Sequence, residues 1–337
     1  MEEPALHRPR RPGWWKPVLK WTIFAVVLAF IGQRAVVMWR EAPPTDVKLH
    51  YGWLLLAGLL YLVAWLPSVW FWKVMLEGLG HPVPWRDAIR AYYIGHLGKY
   101  VPGKAMVLVL RASLLRPAGC PPGLAALTAT YETLVMMAAG AMIAVALAPF
   151  AAGDSFWSKS PAWLHFVRDW GWVSSLAVIL LTVATTPFSS ALFTRIGRAM
   201  SARSQTDFAP GIPTRMVVCG LAVISLGWLV QGASLGCVIQ GVSAEPVALS
   251  DFPLWLLATS LATFGGFVIL VAPGGLGVRE FLLAEVLLSQ PGMHAGTALL
   301  VAGLARLVGF VAELVVAAGL YWFRTSNDAG GVSKGSE

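Results

Sequence analysis

Apolar runs long enough to cross a bilayer recur from residue 17 to residue 322, and no stretch between them could form a separate soluble domain. A helix needs about 20 apolar residues to span the hydrocarbon. Every backbone polar group at that depth must be satisfied within the protein, which leaves helices or closed barrels as spanning structures. Runs of this length point to helices. The chain is 57% hydrophobic and 12% charged, against roughly 25% charged in soluble domains. The expected fold class is all-α, a polytopic integral membrane helical bundle. Six to eight membrane-inserted helical elements are expected, two of them broken at Pro-Gly.

The first apolar run follows a basic leader with Arg8, Arg10, Arg11 and Lys16. Gln33, Arg34, Met38 and Trp39 follow it instead of a small-x-small cleavage site, so it reads as a retained helix near 17–38. Further helices are expected near 51–76 with a kink at Pro67, at 123–148, at 171–194 with a bend at Pro187, at 215–240 and at 296–323. The resulting organisation is a leader over 1–16, a membrane domain over 17–323 and a disordered polar tail over 324–337.

Two segments depart from this pattern. Between Phe252 and Ser289, Ala272-Pro273-Gly274-Gly275-Leu276-Gly277-Val278-Arg279-Glu280 interrupts an apolar run with helix breakers. Irregular backbone at membrane depth must be buried in protein or line a wet cavity. The mixed segment 85–116 carries a second break at Pro102-Gly103, followed like the first by an arginine and an apolar helix. Phe252–Val271 is long enough to span, but Phe281–Gln290 is too short to return. Read as re-entrant hairpins entering from opposite sides, the two segments form an inverted pair, an arrangement used by transporters.

Other classes are disfavoured. The net charge of +8 is spread among membrane loops, which speaks against nucleic acid and for topology. Cys120, Cys219 and Cys237 are odd in number and lack metal spacing, and the six histidines form no HxxxH or HExxH arrangement. Neither a metal nor a cofactor is expected. No Walker loop or GxSxG elbow is present, and no catalytic constellation is read, so the expectation is not an enzyme. Tryptophans near run ends, among them Trp53, Trp157, Trp170, Trp172 and Trp322, read as interfacial anchors. Basic segments (the leader, 73–116 and 195–215) alternate with nearly neutral loops, which places the N-terminus in the cytoplasm and the protein in the cytoplasmic membrane.

Three groups of residues stand out as functional candidates. Gly95 to Lys104, with Arg111 downstream, reads as an anion-binding mouth in which glycines let N–H groups converge and Lys99, Lys104 and Arg111 supply charge. A positive-inside loop is the bland alternative, but Arg111 lies well inside an apolar helix. At the second break, Glu280 suits a helix N-terminus, whereas Arg279 opposes the dipole there and calls for a carboxylate or an anionic ligand. Glu132, Glu285, Arg306 and Glu313 lie within apparent helices, where each costs about 2.5–3.5 kcal/mol if left facing lipid. They suggest either an Arg–Glu network tying helices together or a headgroup path. Arg306 and Glu313 are two turns apart, on one face.

Tyr100-Val101-Pro102-Gly103-Lys104, the Arg111 helix, Glu132 and above all Pro273-Gly274-Gly275-Leu276-Gly277-Val278-Arg279-Glu280 resemble the lysylphosphatidylglycerol synthase transmembrane-region family, also called flippase-like domain proteins. The resemblance runs from about residue 18 to 323. In two-part members the membrane region moves an aminoacylated phospholipid and a soluble domain makes it; the resemblance implies the translocating half here. Where relatives often carry Glu-Arg and a nearby acid, this chain has Glu132-Thr133 and Met136, so substrate identity is not carried over.

The expected function is therefore binding and translocation of a lipid headgroup, from a phospholipid, an aminoacylated phospholipid or a polyprenyl-linked precursor. Lys99, Lys104 and Arg111 would attract phosphate from the cytoplasmic side. Arg279 and Arg306 would stabilise it at depth, with Glu132, Glu280 and Glu313 holding those arginines or meeting a cationic headgroup. The alternative is a non-transporting subunit that docks a lipid-modifying enzyme through 73–116 and 195–215. A homo-oligomer or that enzyme would be the protein partner.

Overall fold

The computed structural model describes residues 48–100, 105–204, 211–269 and 275–322. The helix expected at 17–38, the leader and tail, and Pro102, Gly103, Lys104, Pro273 and Gly274 lie outside the described residues. Within them the secondary structure is helical throughout, with no strand.

The helices are α1 (Tyr51–Val63), α2 (Leu66–Gly78), α3 (Trp85–His96), α4 (Ala105–Leu115), α5 (Pro122–Ala151), α6 (Asp154–Lys159), α7 (His165–Asp169), α8 (Gly171–Ala184), α9 (Thr186–Ser204), α10 (Thr214–Val242), α11 (Phe252–Val268), α12 (Val278–Leu287) and α13 (Ala295–Trp322). Six candidate spans result: 51–78, 122–151, 171–200, 214–242, 249–268 and 295–322. The expected interruptions are present. α1 yields to α2 just before Pro67, and α8 to α9 just before Pro187, because proline lacks an N–H for the helical ladder. At the first interruption the Tyr93 hydroxyl donates to the Leu62 carbonyl at 2.6 Å, which keeps that oxygen satisfied away from water.

The bundle is organised around α10, which packs on α1, α2, α5 and α11. Glycines on α10 allow these close approaches: a Cβ at Gly220 would lie 2.2 Å from the Phe71 ring, and one at Gly236 2.3 Å from the Trp255 ring. Small residues at helix contacts are how membrane bundles gain packing energy, since lipid tails are as apolar as the side chains they replace. By contrast the 171–200 span is only 17% buried. It presents Leu176, Leu180, Leu181 and Phe188 outward, as a lipid-facing wall does.

The helices α3, α4 and α12 are too short to span. α3 and α4, of 12 and 11 residues, reach only about 18 and 17 Å at 1.5 Å per residue, short of the ~30 Å hydrocarbon core. They pack on each other with a 3₁₀ turn, Leu97–Tyr100, between them. A Cβ at Gly98 would lie 2.5 Å from the Val107 backbone nitrogen, so the two limbs meet backbone to backbone. α12, of 10 residues, folds back on α11 in the same way. Gly275, at φ +69°, brings its Cα against Gly266, where a Cβ would come within 2.8 Å. Both hairpins therefore depend on a glycine where their limbs touch.

Two sequence expectations need correction. Trp157 is not an interfacial anchor but is 3% exposed, whereas Trp170, Trp172 and Trp322 are exposed as an anchor should be. Lys73, counted within the basic segment 73–116, is buried, whereas the burial of Arg111 agrees with its expected place inside an apolar helix. Lys73 lies within α2, paired with Glu77 one turn on and 4.9 Å from the Trp85 ring centroid. Its long alkyl stem lets it lie along apolar surface.

Candidate functional site

The two hairpins meet around a cavity of about 410 Å³, between α3, α4, α5, α11 and α12. Its walls are largely apolar: Leu108 from α4, Leu134, Met136 and Met137 from α5, and Phe267 from α11. Leu134 is also half-exposed on the outer face of the bundle, so the cavity reaches the lipid-facing surface beside it. Its polar part holds Thr130, Thr133, Thr263 and four basic residues: His96 at the end of α3, Lys99 in the 3₁₀ turn, Arg111 on α4 and Arg279 in the first turn of α12. No aspartate or glutamate is among the described lining residues.

The carboxylates stand behind this lining and hold its cations. Glu132 on α5 is completely buried and accepts from Arg111 Nη1 at 2.9 Å and from the Tyr92 hydroxyl at 3.1 Å. The Arg111 guanidinium lies 3.8 Å from the centroid of the Tyr92 ring and 5.1 Å from that of Trp72. Trp72 is in turn fixed by donating Nε1–H to Thr128 Oγ1 at 3.0 Å. A buried ion pair is tolerable when its remaining polar atoms are satisfied and its geometry is good. These contacts supply most of that environment, with Arg111 Nε left without a partner among the described residues.

Glu313 on α13 is the second centre, 1% exposed. It accepts from Lys99 Nζ and the Tyr61 hydroxyl on one oxygen and from the Tyr100 hydroxyl, at 2.9 Å, on the other. His96 Nε2 lies 3.6 Å from the first oxygen, too far for a hydrogen bond. Glu280 is the third. It accepts the Gly277 N–H at 2.6 Å, capping α12, and pairs with Arg306 Nη1 at 3.3 Å. Gly277 adopts φ +84°, a conformation open chiefly to glycine, and this lets the chain turn into the helix. The Arg306 guanidinium lies 5.6 Å from the centroid of the Tyr100 ring, which joins the second and third centres. A small cavity of about 30 Å³, room for about one water, lies among Lys99, Tyr100, Arg279, Glu280 and Arg306.

Arg279 is the exception. It lines both cavities, yet it makes no ion pair or hydrogen bond with any described residue. Four residues lining the larger cavity also carry a buried polar atom without a hydrogen-bond partner among the described residues: Trp65 Nε1, His96 Nε2, Arg111 Nε and Thr263 Oγ1. Each such atom costs about 1–3 kcal/mol unless something satisfies it. Such atoms call for a water or a ligand in the cavity.

The structure thus brings together Lys99, Arg111, Arg279, Arg306, Glu132, Glu280 and Glu313 from the sequence expectations. It corrects the pairing: Glu132 holds Arg111, Glu280 holds Arg306 and Glu313 holds Lys99, while Arg279 has none of the three as partner. Arg306 and Glu313 share a helix but serve different partners. Glu285 sits elsewhere, pairing with Lys159 at 2.5 Å. Gly275 and Gly277 act at the break as expected. Lys104, Pro102, Gly103, Pro273 and Gly274 cannot be assigned a place. Sequence reasoning missed Tyr61, Tyr92 and Trp65. A tyrosine deep within an apolar run, away from any interface, was the available signal for the first of these.

Comparison with known families gives one match. A family described as lysylphosphatidylglycerol synthase TM region matches residues 15–317. A search of curated proteins finds no match.

Proposed function

The chain belongs to the lysylphosphatidylglycerol synthase transmembrane-region family, a family of membrane proteins linked to lipid handling, and on that premise we propose that it binds a lipid headgroup in the basic cavity and passes it across the bilayer. The observation that carries this reading is Arg279, a cation that lines the cavity and forms no ion pair with a described carboxylate, since the adjacent Glu280 is paired with Arg306 and the Gly277 N–H. A cation at membrane depth is expensive without an anion or water, and residues of this kind mark substrate paths. The half-exposed Leu134 gives an acyl chain a way to stay in the membrane while its headgroup enters the cavity.

In this reading Arg279 and Lys99 take hold of the headgroup. Arg111 and Arg306, fixed by Glu132 and Glu280, provide a prearranged positive surface. Because these charges are already positioned, little reorganisation is needed when an anion arrives. In this reading the protein acts by binding rather than by catalysis. The basic segments 73–116 and 195–215 support a cytoplasmic-membrane protein whose N-terminus is inside.

The test is reconstitution into liposomes with acyl-labelled fluorescent phosphatidylglycerol, followed by quenching of the outer leaflet. Loss of the protected signal should accelerate over protein-free vesicles, and Arg279→Ala should slow it by about tenfold, the effect of ~1.4 kcal/mol. No acceleration over protein-free vesicles would overturn translocation and leave the docking subunit as the better account.

A further inference from the structure

The lining of the large cavity has one sign. Among the described residues Lys99, Arg111 and Arg279 contribute positive charge to it and no acidic residue lines it. The neighbouring carboxylates are committed elsewhere: Glu132 to Arg111 and Tyr92, Glu313 to Lys99, Tyr61 and Tyr100, and Glu280 to Arg306 and the Gly277 N–H. Glu132 and Glu313 are moreover closed off from solvent. Among the described residues of the two adjoining cavities, four cations (Lys99, Arg111, Arg279, Arg306) stand against three carboxylates, which leaves one positive charge in excess. The two sequence stretches outside the described residues next to the hairpin turns, 101–104 and 270–274, contain Lys104 and no acid.

Building on the headgroup-binding reading above, we infer that the cavity selects a phosphate lipid of net negative charge and rejects one that carries an ammonium group. A phosphate ester neutralises the excess charge and offers oxygens to Arg279 and to the unpartnered N–H groups of Trp65 and Arg111. An ammonium finds no carboxylate on the wall and adds a like charge in a setting of low dielectric, where repulsion is strong. Aromatic rings can bind ammonium groups through their faces, but the rings here are already engaged. Tyr92 has the Arg111 guanidinium 3.8 Å from its centroid; Trp65 has Lys99 Nζ at 5.9 Å and the His96 ring at 4.3 Å. The shared ligand chemistry is thus a phosphate ester without a cation on an apolar tail. A phosphodiester phospholipid and a polyprenyl monophosphate both have it.

The experiment is native mass spectrometry of the detergent-solubilised full chain against equal amounts of phosphatidylglycerol, a polyprenyl monophosphate and lysylphosphatidylglycerol. At least one of the two anionic lipids should bind about tenfold more than lysylphosphatidylglycerol, a difference of ~1.4 kcal/mol. Whichever anion dominates identifies the source of the phosphate. Arg279→Ala should erase the preference and Arg279→Lys should retain it. Equal or stronger binding of lysylphosphatidylglycerol by the wild-type chain would overturn the inference without recourse to any variant, and so would binding of no lipid. Because the readout is binding, a failure of translocation in liposomes leaves this selectivity test intact, and the two readings fail separately.

Discussion

The two helical hairpins each carry an arginine to the same cavity and give it opposite surroundings. In the α3–α4 hairpin, Arg111 is 2% exposed, paired with Glu132 and set against the rings of Tyr92 and Trp72. In the α11–α12 hairpin, Arg279 is half-buried in the first turn of a helix, where the dipole disfavours it, and has no described carboxylate partner. The first arrangement is what a structural ion pair requires. The second makes sense when the anion is brought by something else. Similar hairpin architecture thus carries one arginine paired within the fold and one that the proposed function assigns to a ligand.

The largest effect should come from removing the partner of the structural arginine. Glu132→Ala leaves Arg111 buried and uncompensated, which should cost about 3–5 kcal/mol and collapse the folded yield or melting temperature in detergent. Adding Arg111→Met to that variant should recover part of the loss, because it removes the uncompensated buried charge while the smaller alanine still leaves a cavity. If the double variant melts as low as the single one, the pair does more than compensate itself.

Next, Gly275→Ala should destabilise the second hairpin by about 1–3 kcal/mol, since φ +69° and the 2.8 Å approach to Gly266 both exclude a side chain. A melting curve unchanged from wild type would show that the α11–α12 turn relaxes more easily than its geometry implies. Arg279→Ala should do the reverse of Glu132→Ala: stability within about 0.5 kcal/mol of wild type with lipid transport slowed. A strong loss of stability there would make Arg279 structural as well and dissolve the contrast. The smallest effect belongs to Lys159→Ala, outside both hairpins. Its half-exposed pair with Glu285 should be worth no more than about 1 kcal/mol by the same melting measurement.

Much of this architecture is legible in the sequence because membrane burial leaves few choices. The expected helices at 51–76, 123–148, 215–240 and 296–323 match α1–α2, α5, α10 and α13 to within a few residues, and Pro67 and Pro187 mark the interruptions. The charges at the site were legible for the same reason, since Arg111, Glu132 and Glu313 have no cheap place facing lipid. Their partnerships were not. Glu313 meets Lys99 across 214 positions of sequence, a contact set by the way α13 lies against the α3–α4 hairpin. Spacing within one helix suggested that Arg306 and Glu313 act together, but helix packing gives them separate partners. Tyr61 and Tyr92 were hidden because an aromatic residue in an apolar run looks like core, and only the folded structure turns their hydroxyls toward Glu313 and Glu132.

The most direct test of the ligand-serving role of Arg279 is a structure of the protein in nanodiscs rich in an anionic phospholipid. The expected result is a lipid phosphate within hydrogen-bonding distance of the Arg279 guanidinium, with an acyl chain leaving past Leu134. A cavity without lipid, or Arg279 turned onto a carboxylate of the protein, would contradict the account.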